Sequence, residues 1–177
     1  WLMMRYLVVL ISVLLFYMEP IFGLFSPIEL NNELYTLVPR FLIIYLIFVS
    51  IYYDKKRAML YGLLFGLLYD VFFIDIIGLY SFIYPLMCLV ASFIVKFIHQ
   101  HLLVATILSL VLVAVVETLL FFFYTAIGIK IMTFSSFYEH NLLPTMLANL
   151  IFILMFGWLF KYILLYRFNQ KALLLQK

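Results

Sequence analysis

Two acidic residues of this 177-residue chain stand inside long apolar runs, where a charged side chain is energetically expensive. The first, Asp70, closes the run GLLFGLLYD, in which Gly62, Gly66 and Asp70 recur every four residues and share one helix face. Gly-x-x-x-Gly lets a second helix approach closely, and an aspartate in hydrocarbon costs roughly 2.5 to 3.5 kcal/mol unless it is partnered. We therefore expect Asp70 near the outer end of its helix, turned into the protein, where it caps the outer end of its own region, bonds to a neighbouring helix or binds a partner.

The second acid, Glu117, lies deeper, near the middle of the run VLVAVVETLLFFF. Ionised and unpaired it would be very costly there, so we expect a protonated or hydrogen-bonded structural carboxyl, with Thr118 or Asn149 as the candidate partners. A place in a transport path is the alternative. Thr145 and Asn149 are four residues apart, and polar groups at this spacing are predicted to join transmembrane helices.

Other side chains capable of chemistry are few. Cys88 is the single cysteine, so an intrachain disulfide and a CxxC pair are excluded. His99 and His101 lie two residues apart in a predicted turn without a nearby cysteine or acid, which is weak support for a metal. Neither histidine has a serine or cysteine partner, and Asp70 with Asp75 defines no cleft. We predict no catalytic, cofactor or metal site.

The composition indicates the kind of fold that must position these residues. The chain is 69% hydrophobic and 11% charged, with a mean hydropathy of +1.24, which lies outside the usage of soluble proteins. A small protein cannot bury so much apolar surface, so the chain is predicted to be a single all-α domain over residues 1–177 that contacts the lipid bilayer. Charges, prolines and glycines divide it into six predicted transmembrane helices, at residues 3–22, 37–53, 58–74, 79–95, 102–127 and 142–165.

The basic residues predict the orientation in the membrane. Nine of the eleven fall on one side, which places both termini in the cytoplasm, while only Arg40 and Lys130 fall on the other. They are scattered among apolar runs and form no stripe for phosphates, so a nucleic acid is excluded as a partner. The nine are Arg5, Lys55, Lys56, Arg57, Lys96, Lys161, Arg167, Lys171 and Lys177.

Two predicted outer segments connect these spans. Residues 23–37 mix two asparagines and two glutamates with apolar side chains, so we expect a helix-like turn at the membrane interface or a docking surface. Residues 128–141 carry Phe134, Phe137 and Tyr138, which are typical of aromatic anchoring at the headgroups.

Two stretches of the chain carry a recognisable pattern. They are residues 57–92, RAMLYGLLFGLLYDVFFIDIIGLYSFIYPLMCLVAS, and residues 143–160, LPTMLANLIFILMFGWLF. Both resemble the MreD family of bacterial rod shape-determining membrane proteins. The residues that carry the resemblance are Gly62, Gly66, Asp70, Gly78, Leu79, Tyr80, Pro144 and Asn149.

The resemblance implies a non-catalytic subunit of the cell-elongation complex in the bacterial plasma membrane. Its main partner would be MreC, and it would help to couple MreB filaments to peptidoglycan synthesis by a glycosyltransferase and a class B penicillin-binding protein. The candidates for helix packing or partner binding are Gly62, Gly66, Asp70, Gly78, Tyr80, Glu117, Pro144 and Asn149.

The family is also thought to share its six-helix fold with the S components of energy-coupling-factor vitamin transporters, so a substrate-binding S component is the alternative function. S components typically dock through an Ala-x-x-x-Ala pattern in the first span, whereas the span here has no alanine or glycine before Gly23. A proton-linked carrier that uses Glu117 is a third hypothesis, without an inverted repeat to support it.

Overall fold

The structure, a computed structural model, describes residues 6–129 and 131–176. Six long helices run through these residues and confirm the predicted helical architecture. The helix α3 ends in a π turn at Asp70–Ile74, and a second π turn at Tyr138–Leu142 interrupts α6. The helices are α1 Leu7–Gly23, α2 Phe41–Tyr52, α3 Lys55–Ile74, α4 Leu79–Val95, α5 Leu102–Ala126 and α6 Phe134–Leu175.

The shortest helix, α2, lies at the centre of the bundle. Its sequence FLIIYLIFVSIY is apolar all round, and every one of its side chains is buried. A helix without a polar face is stable only where it is enclosed, and the other five helices all pack against α2.

The surrounding helices expose apolar side chains on their outer faces, among them Leu10, Phe82, Leu103 and Leu154. Such a surface suits a lipid environment better than water. By length and composition α3, α5 and α6 could each cross a membrane, while α1, α2 and α4 are shorter apolar helices.

Between α1 and α2 the chain forms a small antiparallel hairpin rather than the expected helix-like turn. Strand β1 is Ile28–Leu30 and β2 is Glu33–Tyr35, with Ile28 opposite Tyr35. The turn residues Asn31 and Asn32 have φ angles of 54° and 65°, a left-handed pair that joins twisted strands well and that asparagine tolerates. The expectation of a helix-like turn was therefore wrong.

The second helix also begins later than predicted, at Phe41 instead of residue 37. Pro39 disfavours helical backbone in the residue before it, and residues 36–40 run without regular structure from the hairpin to α2.

Successive helices run in alternating directions between two ends of the bundle. We call the end with the hairpin of residues 28–35 the hairpin end, and the end with Lys55, Lys56 and Arg57 the basic end. At the basic end Asp54 accepts a hydrogen bond from the Lys56 backbone N–H at 3.0 Å and lies 3.5 Å from the Lys171 ammonium group. Lys55, Lys56 and Arg57 begin α3 at this end. Arg5, Lys130 and Lys177, which entered the orientation prediction, lie outside the described residues.

The helices α3 and α4 cross closely at the two glycines of the Gly-x-x-x-Gly motif. A Cβ atom on Gly62 would lie 3.2 Å from the backbone of Tyr84 and Pro85. One on Gly66 would lie 2.6 Å from the Tyr80 carbonyl oxygen, closer than real Cβ contacts allow. These glycines therefore hold Tyr80 and the start of α4 directly against α3.

A buried polar cluster as the candidate functional site

Arg40, the residue before α2, lies at the centre of a buried polar cluster near the hairpin end. Its Nε donates a hydrogen bond to the Glu117 carboxylate of α5, and its Nη1 donates one to the Tyr80 hydroxyl of α4 at 2.9 Å. Both members of the Arg40–Glu117 ion pair are almost inaccessible. The guanidinium group thus joins α2, α4 and α5 and neutralises the Glu117 charge.

The non-helical backbone before α2 is bonded to side chains of α6. Thr145 Oγ1 accepts from the Val38 N–H at 3.2 Å, and Asn149 Oδ1 accepts from the Arg40 N–H at 2.9 Å. Asn149 Nδ2 donates to the Val38 carbonyl oxygen at 3.1 Å. Buried backbone outside regular structure needs such partners, so Thr145 and Asn149 hold Arg40 in position.

Pro144 also helps to attach the backbone before α2 to α6, because it leaves one carbonyl oxygen of α6 without a donor inside the helix. It has no N–H to donate to the His140 carbonyl four residues earlier in α6. That carbonyl accepts a hydrogen bond from the Thr36 N–H at 2.8 Å.

Asp70 is fully buried and caps the N-terminus of α4. Its Oδ2 accepts from the N–H groups of Gly78 at 2.9 Å and Ser81 at 3.1 Å, and its Oδ1 accepts from that of Tyr80 at 2.8 Å. The first N–H groups of a helix lack partners within it, and a carboxylate there is stabilised by the helix dipole. Gly78 supplies the positive φ of 105° that this turn requires. Asp70 therefore needs no cation to remain buried.

Tyr80 connects the Asp70 cap to the Arg40 pair, since its N–H bonds to Asp70 and its hydroxyl bonds to Arg40. Glu19 of α1 adds a third acidic group, because its Oε1 accepts a hydrogen bond from the Leu42 N–H at 2.7 Å. The cluster consequently joins all six helices near one end of the bundle.

Sequence reasoning did not identify Arg40 as the partner of Glu117 and proposed Thr118 or Asn149 instead. Asn149 bonds to the Val38 and Arg40 backbones, and the Glu117 carboxylate bonds to the Arg40 side chain. The usable signal was an arginine within the predicted span 37–53, because buried charges in membranes usually pair with each other. Glu19 lies within the predicted span 3–22 and was also missed as a member of the cluster.

A second contact between an acidic and a basic side chain, at the hairpin end, is exposed. His140 Nε2 lies 3.2 Å from the Glu33 carboxylate, which also accepts a hydrogen bond from the Tyr35 hydroxyl at 3.0 Å. The Tyr35 and His140 rings stack 5.3 Å apart. The Tyr35 hydrogen bond, followed by His140, lowers the pKa of Glu33. This group attaches the hairpin to α6.

The geometry of the cluster suits helix assembly better than reaction chemistry. Arg40, Asp70 and Glu117 are buried and bonded to the protein, so a substrate has no access to them. Across residues 6–129 and 131–176, no three histidine, cysteine or acidic side chains converge as metal ligands. His99 and His101 lie with ring centroids 5.7 Å apart at the basic end.

Comparison with known proteins gives a match along nearly the whole chain. The family described as rod shape-determining protein MreD matches residues 3–168. The rod shape-determining protein MreD of Bacillus subtilis (strain 168) is 33% identical over 148 residues, which cover 84% of this chain and 86% of that protein. No solved structure matches significantly.

Proposed function

We propose, because this chain belongs to the MreD family of rod shape-determining proteins, that it is a non-catalytic membrane subunit of the bacterial cell-elongation machinery. The observation that carries this proposal is the family match over residues 3–168. The closed polar cluster supports a role in assembly, because it orders helices at one end of the bundle and exposes no reactive group.

In this proposal the chain crosses the bacterial plasma membrane six times, with both termini in the cytoplasm. The basic end faces the cytoplasm because Lys55, Lys56 and Arg57 are retained there, and the hairpin end faces outward. Although α2 has only 12 residues, or about 18 Å, the non-helical residues 36–40 before it continue the same span. Non-helical backbone is tolerated at this depth because Thr145 and Asn149 satisfy it inside the protein.

MreC is the expected partner, and the complex would help to couple MreB filaments to wall synthesis by a glycosyltransferase and a class B penicillin-binding protein. This part of the proposal rests on the family resemblance. Gly62, Gly66, Asp70 and Tyr80 order the α3–α4 pair, so a partner that contacts this pair depends on them.

Complementation with copurification tests the proposal. The chain should restore rod shape to a rod-shaped bacterium that lacks its own MreD, and tagged MreC should copurify with it. Gly62→Leu should weaken MreC copurification more than Leu63→Ala, since Gly62 lies at the helix crossing whereas Leu63 is exposed. The proposal would be overturned if the unmodified chain neither restored rod shape nor bound MreC.

Copurification with a transporter ATPase module, together with vitamin binding, would support the alternative S component. A cavity of about 420 Å³ opens at the hairpin end between α1 and α6, and Ser26 supplies the polar side chain among its apolar lining residues. Such a cavity does not favour a polar vitamin. The likeness of the helix arrangement to S components stays a prediction.

A further inference from the structure

The buried polar cluster contains more acidic groups than basic ones. Within the described residues, the charged side chains buried near the hairpin end are Arg40, Glu19, Asp70 and Glu117. Three carboxyl groups and one guanidinium group are thus buried in a water-poor interior. Because isolated buried charges cost several kcal/mol, each of the three must be accounted for separately.

Two of the three carboxyl groups have partners that offset a negative charge. Asp70 accepts three backbone hydrogen bonds at the N-terminus of α4, and Glu117 pairs directly with Arg40. Each therefore has either an ionic partner or several N–H donors for its negative charge.

Glu19 has neither arrangement. Its Oε1 accepts one hydrogen bond, from the Leu42 N–H at the start of α2. It also interacts electrostatically with Arg40, which attracts an ionised Glu19, and with Glu117, which repels it. When two carboxyl groups share a site, one of them tends to keep its proton.

The neighbouring phenols complete the surroundings of Glu19. Tyr84 of α4 is fully buried and interacts electrostatically with both Glu19 and Arg40. Tyr80 also interacts with Glu19, but its hydroxyl already accepts from Arg40. Neither phenol is a cation, so an ionised Glu19 would depend on Arg40, which already pairs with Glu117.

We propose that Glu19 is a buried proton-binding site that attaches α1 to the start of α2. In the neutral form, Oε1 accepts from Leu42, and the bound proton removes the charge that Arg40 would otherwise have to offset. Loss of that proton to solvent leaves a second carboxylate that competes with Glu117 for Arg40. The attachment of α1 then weakens, so helix assembly at the hairpin end depends on one bound proton. This inference is independent of MreC binding.

Infrared spectroscopy of the full chain in lipid nanodiscs tests the proposal directly. At neutral pH the wild type should show the carbonyl-stretch band of a protonated carboxyl group, and Glu19→Gln should lose it. The variant should keep wild-type stability, because glutamine reproduces the size and hydrogen bonding of a neutral glutamic acid. Asp70→Asn and the exposed control Glu139→Gln should both keep the band.

A second measurement needs no variant at position 19. On raising the pH of the wild type, the band and the thermal stability should fall together, since the stabilising form is the protonated one. Absence of the band from the wild type, its persistence in Glu19→Gln, or its loss in Asp70→Asn would each overturn the proposal.

Discussion

Two pairs of an acidic and a basic side chain lie at the hairpin end, and both attach the chain between α1 and α2 to other helices. The side chains of Arg40 and Glu117 are 7% and 9% exposed, whereas those of His140 and Glu33 are 24% and 57% exposed. Contact between an acidic and a basic side chain is common to both pairs, whereas their burial differs. Breaking a buried pair leaves an uncompensated charge, whereas water solvates the members of an exposed pair.

The largest effect should come from Arg40→Leu, which leaves Glu117 without its cation and the Tyr80 hydroxyl without its donor. We expect a loss of about 3 to 5 kcal/mol in unfolding free energy. Unfolding in mixed detergent micelles of rising SDS content measures this loss.

The double variant Arg40→Leu with Glu117→Leu provides the control for the buried pair. Replacing both partners by apolar side chains should cost less than the sum of the two single changes, because no unpaired charge remains. Additive losses would show that the pair is not coupled and would remove the contrast with the exposed pair.

Variants of Asp70 test whether a buried carboxylate without a cationic partner stabilises the fold as much as the Arg40–Glu117 pair does. Asp70→Leu leaves the N–H group of Gly78 and two N–H groups of α4 unsatisfied, at about 1 kcal/mol or more each, so we expect a loss of about 3 kcal/mol. Asp70→Asn should do less harm because it keeps an acceptor. The same unfolding assay, run beside MreC copurification, separates destabilisation from lost binding, and equal losses for the two variants would contradict the capping role.

Gly66→Ala should disturb the cluster without changing its charge. The added Cβ would lie 2.6 Å from the Tyr80 carbonyl oxygen and 2.7 Å from the Ser81 Cα, so α4 must move and take Tyr80 away from Arg40. Overpacking of this kind costs about 1 to 3 kcal/mol. Gly23→Ala is the matched control, since nothing lies within 4 Å of its added Cβ. Unfolding free energies that are equal for the two alanine variants would contradict the close crossing.

The sequence predicted the helices of this end better than it predicted the pairs that join them. Apolar length located the helices, and four-residue spacing placed Gly62, Gly66 and Asp70 on one face, because both signals are local. The Arg40–Glu117 pair joins residues 77 positions apart, which spacing along one helix cannot reveal. The hairpin was missed because apolar content resembled an interfacial helix, whereas the turn depended on Asn31 and Asn32 adopting positive φ.

The smallest effect should come from the exposed pair, and pH is the way to measure it. Folding lowers the pKa of Glu33 through the Tyr35 hydroxyl and His140. A carboxyl group of this kind stabilises the folded state at pH above its unfolded pKa, and that contribution disappears as pH falls through the lower folded value. Acidification should therefore loosen the hairpin slightly and leave the bundle folded.

A spin label on Leu34→Cys, an exposed position of β2, can report this loosening. Its mobility should rise on acidification in the otherwise wild-type chain. In a Glu33→Gln background the label should be more mobile at neutral pH and insensitive to acid, whereas a Glu29→Gln background should behave as wild type because that exposed carboxyl lies on the other strand. An unchanged acid response in Glu33→Gln would mean that Glu33 does not attach the hairpin. Unfolding at acidic pH as large as that of Arg40→Leu would mean that burial does not distinguish the two pairs.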